Sequence, residues 1–351
     1  MSTFTLGVSG WGVLAPMGTG ADDFGAGLRS GREPAVDAGE VTAAPMPQER
    51  VFGLPGFTAR DHLGRKGTSF LDRRTALALI AGAQALDDSE LVVDDDNRER
   101  VGVVLGTSAG SLQSTSDYTR ETFEADKPYL VNPILFPNTV LNCAAGQVAI
   151  RYGLRGPNTT VAGGATAMLS ALRWAYVMMR RGRAEALLVG AVEELTPHQA
   201  WTSAALGTAD GVPAGEGCAM FMIENAAAMR AAGRRPRAEI RAVELAHTTE
   251  GTDTADALAA VIRRVLDTAG PELTVDTVIT CDAAGEAPAL DRAVGRAAER
   301  IAVTPVAGDA PAAAGALQLA VLLAGASGHS RTALITACTP DGAVGAAVVT
   351  V

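Results

Sequence analysis

Short β-branched runs alternate along this chain with stretches rich in alanine, leucine and arginine. That is the pattern of an α/β protein whose strands are covered on both faces. In the first half, residues 5–8, 101–105, 159–162, 186–189 and 219–223 predict strands, with helices at 70–89, 114–125, 146–152 and 167–181. The second half repeats the theme, with strands at 237–245, 277–280, 301–306, 331–336 and 344–351 and helices at 255–269, 288–300 and 312–326. The stretch 31–60 is rich in proline, glycine and acid and has no period, so it reads as an ordered loop. The run 87–99, with three consecutive aspartates, reads as a solvated helix end and turn. A basic polar stretch at 225–236 separates two similar halves, 1–228 and 229–351, expected to form one inseparable unit.

Bulk properties narrow the function. With 351 residues, of which 48% are apolar, the chain can bury a large core. A mean hydropathy of +0.17 with only 19% charged residues predicts an extensive partner surface. A net charge of −10 argues against nucleic-acid binding, which needs a basic face. No apolar run approaches the roughly 20 residues that span a bilayer. Met1-Ser2-Thr3-Phe4 has neither the basic start nor the apolar core of a signal peptide, so a cytoplasmic location is expected. Cys143, Cys218, Cys281 and Cys338 are widely spaced, with no histidine at ligand spacing. They read as free thiols in a reducing compartment, and no metal and no cofactor are expected.

The most informative stretch is 159–172, Thr-Thr-Val-Ala-Gly-Gly-Ala-Thr-Ala-Met-Leu-Ser-Ala-Leu. It reads as a strand, a tight small-residue turn and a helix, the geometry that holds a nucleophile at a helix N-terminus. The apex holds Ala165, which has no nucleophilic atom. Thr166 beside it needs a base to become nucleophilic, and the sequence offers none.

The residues leading to the turn carry a resemblance. Phe136-Pro137-Asn138, Ala144-Ala145-Gly146-Gln147-Val148-Ala149-Ile150 and Gly153-Leu154-Arg155-Gly156-Pro157-Asn158 resemble the approach to the active cysteine of β-ketoacyl synthases, a branch of the thiolase superfamily. Residues 8–18, 101–110, Gly190-Ala191-Val192-Glu193 and Ala214-Gly215-Glu216-Gly217-Cys218-Ala219 resemble further elements of that family in the same order. The resemblance implies a thiolase-like fold: duplicated βαβαβαββ halves forming a five-layered αβαβα core.

It also implies a cysteine, two histidines and a lysine as catalytic machinery, and here each position is degenerate. Ala165 stands for the cysteine, Cys281 for the first histidine, Asp309 for the second, and Thr304 falls about where the lysine belongs. His62, His198, His247 and His329 lie in none of these motifs. The chain therefore resembles a chain length factor, the inactive ketosynthase-like subunit of a type II polyketide synthase, shortened between Trp201 and Gly211 and again after Thr248. Many chain length factors of aromatic pathways carry Gln at the cysteine position, whereas this chain has Ala165, which leaves the branch, aromatic or reducing and polyene, open.

On that resemblance the partners are an active ketosynthase, the growing polyketide chain at the shared interface, and an acyl carrier protein. The carrier, itself acidic, is expected to dock mainly on the ketosynthase. Residues 131–143 resemble the segment bordering the tunnel, with Phe136, Thr139, Val140 and Cys143 as lining candidates. Phe136 and Val140 have core filling as the alternative. Met168 is expected either to plug the vestigial pocket or to be ordinary helix packing. Asn158, Thr159, Thr160, Val161, Ala162 and Gly163 are expected to pair across a dimer twofold, since an apolar edge strand left open invites aggregation. Glu193 and Glu216 read as structural carboxylates. Two other readings stay open: a divergent thiolase-fold acyltransferase or hydrolase using Cys281 or Cys143, and a homodimeric acyl-binding pseudoenzyme. For Cys281, a nearby Asp309 would raise the thiol pKa and disfavour the thiolate. Alternatively, Asp309 beside Thr304 supplies a polar contact replacing the lost groups.

Overall fold

The computed structural model describes residues 4–207, 211–249, 251–270, 272–295, 298–326 and 330–351. The first half supplies strands β1 (Leu6–Ala15), β2 (Val101–Thr107), β3 (Asn158–Ala162), β4 (Ala186–Glu193) and β5 (Gly217–Asn225). The second supplies β6 (Ala238–His247), β7 (Thr277–Thr280), β8 (Glu299–Ala302), β9 (Thr332–Cys338) and β10 (Ala343–Thr350). Their order across one mixed sheet is β8-β7-β9-β10-β6-β1-β5-β4-β2-β3. Each half thus has its third, second, fourth, fifth and first strands side by side, the expected duplication. The halves meet where Leu6, Gly7 and Val8 pair antiparallel with Ile240, Glu239 and Ala238.

Seven helices cover these strands: α1 (Arg73–Asp88), α2 (Leu112–Glu124), α3 (Cys143–Tyr152), α4 (Ala167–Arg180), α5 (Thr254–Ala269), α6 (Glu286–Ala293) and α7 (Pro311–Ala324). Strand alternation sorts the side chains into layers. Along β4, Leu187, Val189 and Ala191 enter the central core with α4 and α7, whereas Leu188 and Val192 join Leu77, Leu79 and Val148 of α1 and α3 outside. On the far side, Val278, Leu334 and Val348 pack with Leu258 and Ile262 of α5. Five αβαβα layers result, as expected. Helix α7 is buried continuously from Ala312 to Leu322. A helix apolar all round belongs inside, and its Gln318 is accommodated by donating Nε2 to the Ile279 and Thr336 carbonyls at 2.9 and 2.8 Å.

Several elements depart from the sequence expectation. Strand β1 runs on to Ala15 instead of ending at residue 8, because Gly10 and Gly12 let α1 lie directly on it. A Cβ on Gly10 would stand 2.6 Å from the Ala85 oxygen, and one on Gly12 would overlap the Ala81 oxygen. The expected strand 301–306 stops at Ala302, and Thr304–Ala307 is a helical turn with Pro305 at its start, a position that suits proline. The expected helix 288–300 begins earlier, at Glu286, and ends at Ala293, and Glu299 already belongs to β8. Helices Ala21–Ser30, Pro197–Leu206 and Ala226–Ala231 were not expected. The last lies in the 225–236 stretch, where the Asn225 side chain accepts from the Ala227 and Ala228 amides. Among the described residues no helix is long and apolar enough to cross a membrane.

Gly12→Ala is expected to lower the unfolding free energy by about 1–3 kcal/mol, since β1 or α1 must move to admit the methyl group. Urea denaturation measures it, and an unchanged midpoint would disprove the close-approach argument.

Candidate functional site

The turn after β3 is built from small residues. Gly164 takes the left-handed conformation (φ 49°), Gly164–Thr166 forms a 3-10 turn, and α4 follows. Ala165 is half-buried there. Helix α7 lies against it: a Cβ on Gly315 would stand 3.0 Å from the Ala165 oxygen and 3.1 Å from the Met168 Cβ. Met168 is buried in the same interlayer core, so the space beside the turn is filled by packing. The Thr166 hydroxyl donates to the Gly163 carbonyl at 2.9 Å and has no base as a partner.

The degenerate positions of the second half organise around a group that sequence reading missed. Cys281 follows β7, its amide donating to Glu286 Oε2 at 3.1 Å. The same carboxyl accepts the Ala283 amide at 2.9 Å and the Thr336 hydroxyl at 2.7 Å. Burial pushes Glu286 up to about 7. Burial, then Glu286, raises the Cys281 thiol well above the ordinary range. The carboxylate opposing a thiolate is therefore Glu286, and the expected Asp309 makes no described contact with Cys281. Thr304 donates to the Cys281 carbonyl at 2.8 Å instead of meeting Asp309. Asp309 bonds Ser203, and its backbone pairs with Pro213 and Gly215. The only signal for Glu286 was an acid five residues after Cys281 in a small-residue loop.

The other thiols are also shifted away from the thiolate. Burial raises Cys143 and Cys218, and pushes Cys338 up to about 12. His62 stacks on Phe57, His198 is exposed on Pro197–Leu206, and His247 Nδ1 meets the Thr248 carbonyl at 2.9 Å. His329 lies outside the described residues. No three His, Cys, Asp or Glu among the described residues are grouped to hold a metal.

The conspicuous carboxylates are structural. Glu216 is buried and takes Arg73 in a two-pronged ion pair at 2.6 Å on each arm, plus the Leu54 amide at 2.8 Å. Glu193 accepts from Ser108 and, at 3.2 Å, from the Ala312 amide, so it ties β4 to the start of α7. Burial holds Glu193 and Glu194 near 7.

The lining and interface candidates divide. Phe136 and Val140 are exposed, which overturns core filling for both. Thr139 donates to the Phe136 carbonyl at 2.8 Å, and Cys143 lies beneath, its Sγ 3.5 Å from Asn138 Oδ1. Met168 sits in the interlayer core, away from that surface. Tyr118 of α2 packs on Phe136 with ring centroids 5.9 Å apart, and Phe123, Tyr129, Leu130, Ile134 and Ile150 are also exposed. The sequence reading gave α2 no role, although aromatic residues in so polar a helix were its signal. Strand β3 pairs with β2 on one side and has no strand on its other among the described residues. Asn158 and Ala162 are exposed there, and Thr159, Thr160, Val161 and Gly163 are half-buried.

Residues 5–228 match the description "Beta-ketoacyl synthase, N-terminal domain". The chain belongs to the β-ketoacyl synthase family. A 3-oxoacyl-[acyl-carrier-protein] synthase 2 of Synechocystis sp. is 31% identical over 195 residues, 54% of this chain and 46% of that enzyme. The enzyme of the same name from Vibrio cholerae is 29% identical over 194 residues, 55% and 47% of the respective chains. The chain thus spans about half the length of the curated relatives it matches. Among solved structures, the ishigamide ketosynthase/chain length factor superposes with a TM-score of 0.86 at 36% identity, covering 98% of this chain and 99% of the other. A type II polyketide synthase acyl-carrier protein in complex with its ketosynthase, bound to the hexaketide, gives 0.84 at 20% identity over 99% of both chains, a likeness of fold.

Glu193, Glu194 and Glu286 give this family member a defined pH response. Each ionises near 4.5 when unfolded and near 7 when folded, so the folded chain holds more protons between those values. Their contribution to stability is full below about 4.5, falls as pH rises, and levels off above about 7. Urea midpoints at pH 5, 6, 7 and 8 are expected to decline and then flatten, with a shallower decline in Glu194→Gln. Equal midpoints from pH 5 to 7 would contradict it.

Proposed function

We propose that this chain is a non-catalytic chain length factor that pairs with an active ketosynthase subunit and shapes the tunnel into which the polyketide chain grows. One observation carries the reading: the nucleophile turn holds Ala165, with Met168 and α7 packed beside it. An acyl thioester formed at that turn would need a thiolate and a base; Ala165 has no thiol, and the hydroxyl beside it, that of Thr166, donates to the Gly163 carbonyl. The comparisons add support. The structure superposing at 36% identity comprises a ketosynthase and a chain length factor, and its matched chain is covered almost end to end.

In this reading the two halves, divided at residue 228, act as one cytoplasmic unit. The ketosynthase supplies cysteine and histidines and receives the acyl carrier protein. This chain supplies β3 as the interface strand and the exposed Phe136, Thr139 and Val140 as tunnel wall, with Cys143 behind them. Met168 fills the space that a working pocket would leave. Chain length then follows from exclusion, because a bulkier wall residue stops the growing end sooner. An enzyme built on Cys281 is disfavoured by its raised thiol pKa.

Co-expression with a ketosynthase is expected to yield a one-to-one complex by native mass measurement. Condensation of malonyl-loaded carrier protein should vanish when the partner's cysteine is replaced and survive Cys281→Ala here. Activity of this chain alone, lost in Cys281→Ala, would overturn the reading, and a homodimer indifferent to ketosynthase would favour the acyl-binding pseudoenzyme. Ala165→Cys is expected to restore no condensation, since a thiol alone lacks the two histidines whose positions hold Cys281 and Asp309. Thr139→Phe should shorten the products of an intact complex. Unchanged product length would remove Thr139 from the wall.

A further inference from the structure

The stretch from Leu130 to Asn142 is built inside out. Leu130, Ile134, Phe136 and Val140 are exposed, and the stretch is fastened to the body by polar contacts. Glu121 Oε2 accepts the Asn132 amide at 2.7 Å. The buried Asn138 side chain donates to the Phe70 carbonyl at 2.6 Å. Arg74, whose side chain is wholly buried, donates Nη1 to the Leu141 carbonyl at 3.2 Å. A surface segment held for stability alone would turn its apolar side chains inward and leave its polar groups in water.

Arg74 is the costliest of these fastenings. A buried guanidinium loses its hydration and recovers it only through close partners. Asp72 lies 3.8 Å away, and among the described residues Nε and Nη2 find no hydrogen-bond partner. Its side-chain hydrogen bond goes to the exposed segment. Gly110 leaves it room: in its left-handed conformation (φ 76°), a Cβ would stand 3.1 Å from Arg74 Nη1 and from a Leu141 methyl.

We propose that Arg74 and Asn138 are positioning residues that hold residues 130–142 in the apolar-out form in which the segment meets the ketosynthase subunit. The inference rests on the heterodimer reading above. A segment ordered before docking loses less conformational entropy on binding, and an arginine fixed beneath it supplies that order without using its apolar side chains.

Hydrogen exchange on the full chain tests the positioning without any partner. In both Arg74→Met and Asn138→Ala, amides of 130–142 should exchange about tenfold faster or more, with β2, β4 and β5 unchanged. Arg74→Lys, which keeps a donor near Leu141, should recover part of the protection. Unchanged exchange in 130–142, or a uniform rise along the chain, overturns the proposal. Should Arg74→Met fail to fold, Asn138→Ala decides alone. With the ketosynthase present, both variants should weaken the complex by about tenfold, whereas Leu258→Ala, a core change on α5, should leave its affinity unaltered. Equal affinities for all variants overturn the docking role. A wild-type chain that binds no ketosynthase sinks the heterodimer reading instead, and the exchange result still decides the positioning.

Discussion

Everything in this molecule is arranged around one helix that cannot meet water. Helix α7 is apolar on every side, and each of its large side chains, such as Leu317, Leu319 and Leu322, gains about 1.5–3 kcal/mol by burial. Its length must be covered from both directions, and the two halves of the one mixed sheet do so. The helix has no polar stripe to mark an outside, so the layer order follows. Its alanines and Gly315 bring its backbone close to the turn at Ala165. The helix that completes the core therefore also lies directly beside that turn.

The interior acids follow from the same economy of space. Glu216 takes both arms of Arg73, Glu286 closes the loop after β7, and Glu193 ties β4 to α7. A general base must direct a free lone pair at a reacting atom. These carboxyls spend their oxygens on amides, hydroxyls and a guanidinium of their own chain. Their raised proton affinity comes first from burial, so it marks architecture and not poised chemistry.

What the sequence made legible was whatever depends on neighbours in the chain. The buried strands and the small-residue turn at 163–166 follow from local pattern, and the structure agrees. What escaped depends on neighbours in space. Strand β1 seemed to end at residue 8 because glycine weakens a strand, yet Gly10 and Gly12 serve a helix 70 residues and more away in sequence. Pro305 ended β8 early in a run whose apolar residues suggested continuation. Glu286, which governs Cys281, was invisible as a partner because helix α6 had to fold back first. Phe136 and Val140 are apolar by composition and exposed in the structure, and no single-chain pattern separates a core residue from one awaiting a second chain.

That last ambiguity joins the two halves of the functional argument. A ketosynthase that simply lost its catalytic groups would be expected to drift toward a polar surface, since exposed phenylalanine and leucine invite aggregation. Here Met168 and α7 pack closely beside the turn at Ala165, while the surface around 118–140 keeps its aromatic and branched residues exposed. Selection for stability alone explains the first change and not the second. A buried arginine supporting that surface, with two of its nitrogens lacking hydrogen-bond partners among the described residues, points the same way. The feature retained at a cost is an exposed apolar face, and such a face is what the proposed subunit, working through its partner's active site, would require.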